Sequence, residues 1–250
     1  MQPRPPMEEE STTGQNTVYF LYRYQRFSDE FHSLQRMLSE NLWWFGSRTG
    51  FDDKLFDCVL GGATLTLAGI ERTVRESGGT ELAIRNALND SSLPVRIPRS
   101  VQKNSIDTIG ILCLSELPDH PQLWREYADR GHGTCLCLAT EKLLASLEYS
   151  YYKPHPVQYF DAPPHIWNPQ AGDQLAEASA ILLRKNQRWE YQREWRIMRS
   201  RVGSYRMPTD SLRAVILGSR LSEAKRRRIA RWVHSGPWNP MPTIIPSRCP

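Results

Sequence analysis

The predicted strands of this chain are short and apolar, and helical patterns separate only some of them. A doubly wound parallel sheet would require a regular alternation of strands and helices, which this sequence lacks. We therefore predict a single α+β domain, with a mixed or largely antiparallel sheet flanked by helices. The predicted strands cover residues 18–27, 42–46, 105–116, 133–139, 157–161, 189–198, 212–218 and 242–247.

Residues that favour helix termini place the helices between these strands. Ser28, Thr140 and Ser222 are predicted N-caps, because a short polar side chain can accept a hydrogen bond from a free amide in the first turn. Pro121 is predicted to open a short helix, since the first helical position needs no amide donor. Asn41 is predicted to end the first helix, and the helix that follows Ser222 is predicted to end near Gly236.

Composition limits the class and the cellular location of the protein. The 250 residues are 40% hydrophobic, which is enough for a sizeable core. No segment approaches the roughly 18–20 consecutive apolar residues of a membrane span. Residues 1–16 have no apolar centre, so we predict a flexible tail rather than a signal peptide, followed by one domain over 17–250. The odd number of cysteines, five, favours reduced thiols in the cytoplasm.

The segment WEYQREWR at 189–196 alternates aromatic and polar residues. In a strand, successive side chains point to opposite faces of the sheet. Trp189, Tyr191, Arg193 and Trp195 are then predicted to share one face. The opposite face would present Glu190, Gln192, Glu194 and Arg196, either as exposed cross-strand ion pairs or as a functional site held rigidly by the packed aromatics.

Other polar clusters have a simpler structural explanation. His132, Cys135 and Cys137 form H-x-x-C-x-C, but no second ligand pair follows, and cysteine is commonly buried, so we predict core packing and no metal. The acidic group at 52–57 follows Gly50 and Phe51, where aspartate is typical of a turn. The same group, formed by Asp52, Asp53 and Asp57, could alternatively hold magnesium in a nuclease.

A basic segment, KRRRIAR at 225–231, supplies much of the net charge of +5. On a helix, Ile229, Trp232 and Val233 would form the buried stripe, and the arginines a solvated outer face able to attract anions. No Rossmann or P-loop motif occurs in the sequence.

Three separated stretches resemble one mainly bacterial family, domain of unknown function 2971. They are LYRY with LWWFGSRTGFDDKLFD, then CLSELPDHPQLWREYADRGHGTC, then WEYQREWR followed by VILG, and together they span about residues 19 to 218. Asp52-Asp53-Lys54 stands where the family tends to have Asn-Asp-Pro, and Gln192 stands where it usually has Glu. The resemblance implies no reaction, because this family has no settled activity.

The order of polar residues also resembles that of ADP-ribosyltransferases, which implies an ADP-ribosyltransferase-like fold and NAD as the substrate. That resemblance implies that Arg23, Ser115 and Tyr127 bind the cofactor, with the aromatic ring stacking on nicotinamide. It implies that Glu194 is the catalytic carboxylate, which stabilises an oxocarbenium-like state, and that Gln192 orients the acceptor. A glutamine at this position makes arginine acceptors less expected.

Three functional hypotheses follow from these observations. The first is an NAD-consuming ADP-ribosyltransferase or NAD glycohydrolase, an effector of stress or phage defence, whose acceptor is a protein or a nucleic acid. The second is a non-enzymatic module that contacts nucleic acid or an acidic protein through the basic helix. The third is a metal-dependent nuclease using Asp52, Asp53 and Glu116.

Overall fold

The computed structural model describes residues 18–28, 32–50, 71, 74–75, 79–89, 107–145, 153–161 and 182–249. The predicted tail at 1–16 and the acidic group at 52–57 lie outside these residues. In the described part the helices are α1 (Ser33–Glu40), α2 (Glu81–Asn89), α3 (Pro121–Tyr127), α4 (Thr140–Ala145) and α5 (Glu223–Ser235). The strands are β1 (Phe20–Gln25), β2 (Trp43–Phe45), β3 (Gly110–Ser115), β4 (Thr134–Ala139), β5 (His155–Pro156), β6 (Gln158–Phe160), β7 (Arg184–Asn186), β8 (Glu194–Arg199), β9 (Gly203–Tyr205), β10 (Leu212–Leu217) and β11 (Thr243–Pro246).

One seven-stranded sheet organises the fold, in the order β11-β10-β4-β1-β3-β8-β5. Its strand pairs are antiparallel, apart from the parallel pair of β10 and β11. Strand β4 lies near the centre of the sheet, and all six of its residues are buried. This arrangement confirms the predicted α+β class and the mixed, largely antiparallel sheet.

The two faces of the sheet carry different side chains, because neighbouring residues of a strand point in opposite directions. Leu21, Leu136 and Val215 belong to the main apolar core, which also contains buried residues of α1 and α5. Tyr24 and Cys135 lie on the other face, in a smaller cluster with residues of α3. The candidate site lies on this second face.

Helix α5 has the predicted ends and the predicted buried stripe. The Ser222 side chain accepts a hydrogen bond from the amide of Lys225, and Gly236 is the C-cap. Ile229 and Val233 are fully buried against the core, as the periodicity predicts. The described residues contain no helix that is long and apolar enough to cross a membrane.

Two predicted caps were wrong. Helix α1 begins at Ser33 after His32, which has left-handed backbone geometry, so Ser28 is not its cap; Asn41 does end this helix. Thr140 is the first residue of α4, and its buried hydroxyl has no hydrogen-bond partner among the described residues.

Candidate functional site

A cavity of about 520 Å³ lies on the second face of the sheet, beside β1, β3 and β8. We call it the Glu194 pocket. It is large enough for a small-molecule ligand, since such sites typically measure about 300–1,000 Å³. Its lining includes all five of the residues that the sequence nominated, namely Arg23, Ser115, Tyr127, Gln192 and Glu194.

The register of the sheet explains how distant residues meet in this pocket. Ser115 of β3 is paired with Tyr22 of β1 on one side and with Glu194 of β8 on the other. Directly paired residues point to the same face, so these three side chains lie in a row across the sheet. Cys113 and Arg196 form the next pair along the same face.

The predicted strand over 189–198 was wrong in its first half. Residues Gln187–Gln192 form a 3₁₀ helix, which is capped by the Asn186 side chain. Arg193 then adopts a left-handed conformation with φ of 40°, and the strand starts only at Glu194. The predicted alternation of faces therefore holds only from Glu194 onward, where Trp195 packs against the main core on the opposite face, while Glu190 is exposed outside the pocket.

Glu194 is held by two cations. Its Oε2 accepts a hydrogen bond from Lys185 Nζ at 2.6 Å, and its Oε1 accepts one from Arg196 Nε at 2.7 Å. All three side chains are at least nine-tenths buried. Burial alone would raise the pKa of Glu194, but the charges of Arg196 and Lys185 outweigh it and lower the pKa from 4.5 to about 2. The carboxylate is therefore ionised at neutral pH and cannot serve as a proton donor.

Gln192 belongs to the same buried network. Its Oε1 accepts a hydrogen bond from Lys185 Nζ at 2.6 Å, and its Nε2 donates to the hydroxyl of Tyr127 at 2.9 Å. Burial raises the pKa of Tyr127 to about 12, so this hydroxyl stays protonated. The amide of Gln192 is thus oriented from both ends.

Ser115 has a clear positioning role. Its hydroxyl donates to the backbone oxygen of Gln192 at 2.7 Å and accepts from the amide of Leu117 at 3.0 Å. These bonds fix the end of the 3₁₀ helix beside β3. The predicted contact of Ser115 with a cofactor stays a prediction.

Arg23 has donors left over. Its Nη1 donates to the backbone oxygen of Cys113 at 3.0 Å, while its buried Nε has no partner among the described residues. Within the same part of the chain, no carboxylate lies at ion-pair distance from Arg23. A half-buried guanidinium with unused donors is suited to an anion, because it can bind phosphate or carboxylate oxygens in a bidentate manner.

Lys185 was not anticipated from the sequence. It lies on β7, which pairs in parallel with β6 in a separate two-stranded sheet. From this second sheet its side chain reaches Glu194 on β8 of the main sheet. The local sequence Arg-Lys-Asn at 184–186 is typical of an exposed segment, so no local signal marks this lysine as buried. Trp44 and Trp189, which also line the pocket, were likewise not assigned to a site.

The described lining of the pocket is cationic and aromatic. Its charged members are three cations and one carboxylate, which leaves a formal charge of +2. Five aromatic side chains complete the wall, and Trp44 is 54% exposed at its edge. This combination suits an anionic ligand with planar rings. The aromatic members are Tyr22, Tyr24, Trp44, Tyr127 and Trp189.

The sequence also suggested a metal site and a nuclease site. In the part of the chain that the structure describes, no three histidine, cysteine, aspartate or glutamate side chains are close enough to hold a metal ion. Glu116, the proposed nuclease residue, accepts a hydrogen bond from Trp195 Nε1 at 2.7 Å. Its supposed partners Asp52 and Asp53 are outside the described residues.

The basic helix was predicted to have a solvated outer face, and this prediction holds only in part. Lys225 and Arg228 lie over the ring of Phe27 at 4.6 and 5.3 Å from its centroid. Arg226 donates to the backbone oxygens of Leu221 and Gly218. These stems and head groups stabilise the fold, which leaves Arg227 and Arg231 as exposed arginines.

The thiols of Cys113, Cys135 and Cys137 are expected to be unreactive. Burial raises the pKa of Cys113 to about 12 and that of Cys137 to about 11, and it raises the pKa of Cys135 well above its ordinary value. At pH 8, Cys113 should hold about a thousandfold less thiolate than an ordinary thiol. Disulfide exchange with Ellman's reagent, followed by peptide mapping, should therefore label Cys113 only after unfolding in urea. Rapid labelling of Cys113 in the native protein would show that this part of the pocket is more polar than the structure implies.

The segment from α3 to the first half of β8 holds most of the polar network of the pocket, including Tyr127, Lys185, Gln192, Glu194 and Arg196. Residues 123–197 match the DUF2971 family, a protein family of unknown function. This match confirms the family resemblance that the sequence motifs predicted. No curated protein and no solved structure matches the chain, so the resemblance to ADP-ribosyltransferases stays a hypothesis.

Proposed function

We propose that the protein binds NAD in the Glu194 pocket and breaks the bond between nicotinamide and ribose, as an ADP-ribosyltransferase or an NAD glycohydrolase. The observation that carries this proposal is one cavity that combines a fixed, ionised carboxylate with cationic donors and aromatic rings. A cytoplasmic location and a role in stress or phage defence belong to the same proposal.

Binding would use the groups that the fold leaves available. Arg23, with its unused donors, is the candidate for the negatively charged pyrophosphate. Trp44, which is 54% exposed, offers a ring face on which adenine or nicotinamide can stack, while the ring of Trp189 already has Lys185 and Arg188 over it. Tyr127, already bonded to Gln192, is another aromatic residue of this wall.

The chemistry would depend on Glu194 as a hydrogen-bond acceptor. The bond from ribose C1′ to the nicotinamide nitrogen breaks, and its electron pair leaves with neutral nicotinamide. Water or an acceptor group then adds to C1′ and releases a proton to solvent. A carboxylate has about four acceptor positions, so Glu194 keeps capacity for ribose hydroxyls beyond its bonds to Lys185 and Arg196.

A second candidate is nucleotide binding without cleavage. It is favoured by the two cations that already hold the oxygens of Glu194. Their charge opposes the stabilisation of a developing positive charge, whereas a pocket with a formal charge of +2 stabilises a bound phosphate. In this case NAD or another nucleotide would act as a regulatory ligand.

The two candidates are separated by following NAD itself. Wild-type protein is incubated with NAD and cell lysate, nicotinamide release is measured by chromatography, and NAD binding is measured by calorimetry. If the enzyme proposal is right, wild-type protein and Glu190→Gln release nicotinamide, and Glu194→Gln is at least about 100-fold slower. Glu190 is the matched control, since it is an exposed carboxylate in the same segment.

Because Glu194→Gln also removes a buried charge, Arg23→Gln provides an independent variant. It should raise KM about tenfold with little change in kcat, since Arg23 is proposed only to bind the phosphates. Binding of NAD without release would support the second candidate. Absence of both binding and release in wild-type protein would contradict both.

A further inference from the structure

A second cavity, of about 790 Å³, lies directly beside the Glu194 pocket, and we call it the outer groove. Tyr127 and Trp189 line both cavities, so the two cavities are neighbours. A ligand in the outer groove therefore contacts the same two aromatic side chains as a ligand in the Glu194 pocket. The charged residues of the outer groove are Arg26, Arg125, Arg130, Arg220, Glu126 and Asp129.

The charge of the outer groove favours an anion with several charges. Four arginines and two carboxylates leave a formal charge of +2, and His132 lies on the same wall. Glu126 is already occupied, because its carboxylate accepts hydrogen bonds from Gln122 at 2.9 Å and from Tyr191 at 2.8 Å. Among the described residues, no carboxylate lies within ion-pair distance of Arg26, Arg130 or Arg220.

Arg130 lies in a loop with unusual backbone geometry. Asp129, Arg130 and Gly131 all have left-handed geometry, with φ of 49°, 52° and 88°. This geometry is costly for the first two residues, which have side chains. The loop is held by two hydrogen bonds, which the backbone amides of Gly131 and Gly133 donate to the backbone oxygen of Ala128.

The combination of guanidinium groups and aromatic rings in the outer groove points to one class of partner. Guanidinium groups bind phosphate oxygens in a bidentate manner, and bases stack on aromatic side chains in proteins that bind single-stranded nucleic acid. An acidic peptide would use the arginines but would leave the ring of Tyr127 without a flat partner, whereas the ring of Trp189 already has Lys185 and Arg188 over it.

We infer that the outer groove binds single-stranded nucleic acid and that, given the proposed function, this strand is the ADP-ribose acceptor. A base nitrogen or a hydroxyl of the strand forms the new bond to ribose C1′, nicotinamide leaves with the electron pair of the broken bond, and the acceptor proton passes to solvent. The assignment of the strand as the ADP-ribose acceptor rests on the proposed function.

Binding is tested without NAD, so that the two proposals can fail separately. Fluorescence anisotropy follows a labelled 12-nucleotide single strand, as RNA and as DNA, at several salt concentrations. The groove variant is Arg125→Gln with Arg130→Asn, since asparagine tolerates left-handed geometry. The matched control removes the same charge from the exposed face of α5, as Arg227→Gln with Arg231→Gln.

Wild-type protein and the α5 control should bind the strand at low salt, and the groove variant should bind about tenfold more weakly. The slope of log K against log salt should also be shallower by about 1.4 in the groove variant, because each lost phosphate contact removes about 0.7. No binding at low salt, or weaker binding only in the α5 variant, would overturn the inference. Equal competition by polyglutamate would overturn it in favour of an acidic protein.

Transfer is tested in a second step with NAD labelled in its adenylate phosphate. Label on the strand in wild-type protein, but not in the groove variant, supports the acceptor assignment. Nicotinamide release with no label on any strand would overturn the assignment and leave the proposed function standing. Strand binding that depends on the groove, without any nicotinamide release, would support the groove as a nucleic-acid site and contradict the proposed function.

Discussion

Replacing Glu194 by glutamine should lower the free energy of unfolding by about 3–5 kcal/mol, because it leaves two buried cations without their shared carboxylate. Lys185 and Arg196 both donate to Glu194 inside the pocket wall and are 8% and 1% exposed. The neutral amide of glutamine can accept from one of them but presents its own donors to the other. Urea unfolding, followed by tryptophan fluorescence and circular dichroism, measures the change.

Two further variants give this prediction its control. Lys185→Met should cost less, about 1–3 kcal/mol, because it leaves the ion pair of Glu194 and Arg196 intact and removes only the hydrogen bonds from Lys185 to Glu194 and Gln192. Glu190→Gln, on the exposed side of the 3₁₀ helix, should change stability by less than about 0.5 kcal/mol. Equal losses for Glu194→Gln and Glu190→Gln would show that the buried network does not contribute to stability.

Acid should remove the stability that Glu194 contributes. The pKa of Glu194 is lowered from 4.5 in the unfolded chain to about 2 in the folded protein. A lowered pKa means that the contribution is complete above about pH 4.5 and is lost as the pH falls toward 2. The pKa difference corresponds to about 3 kcal/mol, since one unit is about 1.4 kcal/mol.

Urea midpoints of wild-type protein and Glu194→Gln between pH 6 and pH 2.5 test this dependence. The two proteins share every other titrating group, so their difference in stability should shrink over this range. A difference in stability that stays constant from pH 6 to pH 2.5 would mean that the pKa of Glu194 is not lowered in the folded protein. The acid effect and the substitution effect report the same network, so their free energies do not add.

The parts of the fold that could be predicted from the sequence are those fixed by local pattern. Strands β4 and β10 contain the apolar runs 135–139 and 214–217, which are typical of strands buried on both faces. Helix α5 has a polar N-cap, a buried stripe and a glycine at its end, and all three were found at the predicted positions. These signals depend only on neighbouring residues.

The segment 187–193 could not be predicted in the same way. Its alternation of aromatic and polar residues fits a strand, but the Asn186 side chain caps a 3₁₀ helix there, and Arg193 reverses the backbone before β8 begins. Pattern alone does not distinguish these conformations. Gln192 and Glu194 nevertheless reach the same pocket, because the turn at Arg193 brings the end of the helix beside the first residue of the strand.

The candidate site was predicted through a resemblance in residue order rather than through any spacing rule. That resemblance nominated Arg23, Ser115, Tyr127, Gln192 and Glu194, and the fold brings all five to one cavity. It could not supply Lys185, whose burial depends on the parallel pairing of β6 and β7. It also gave no sign that the carboxylate would be held by two cations, which depends on contacts between strands that are distant along the chain.

The most direct test of the central proposal is the release of nicotinamide from NAD by the wild-type protein in the presence of lysate. We predict release that is proportional to protein concentration, is retained by Glu190→Gln and is competed by ADP-ribose. No release of nicotinamide by the wild-type protein at about 1 mM NAD, the upper end of ordinary KM values, would contradict the proposal.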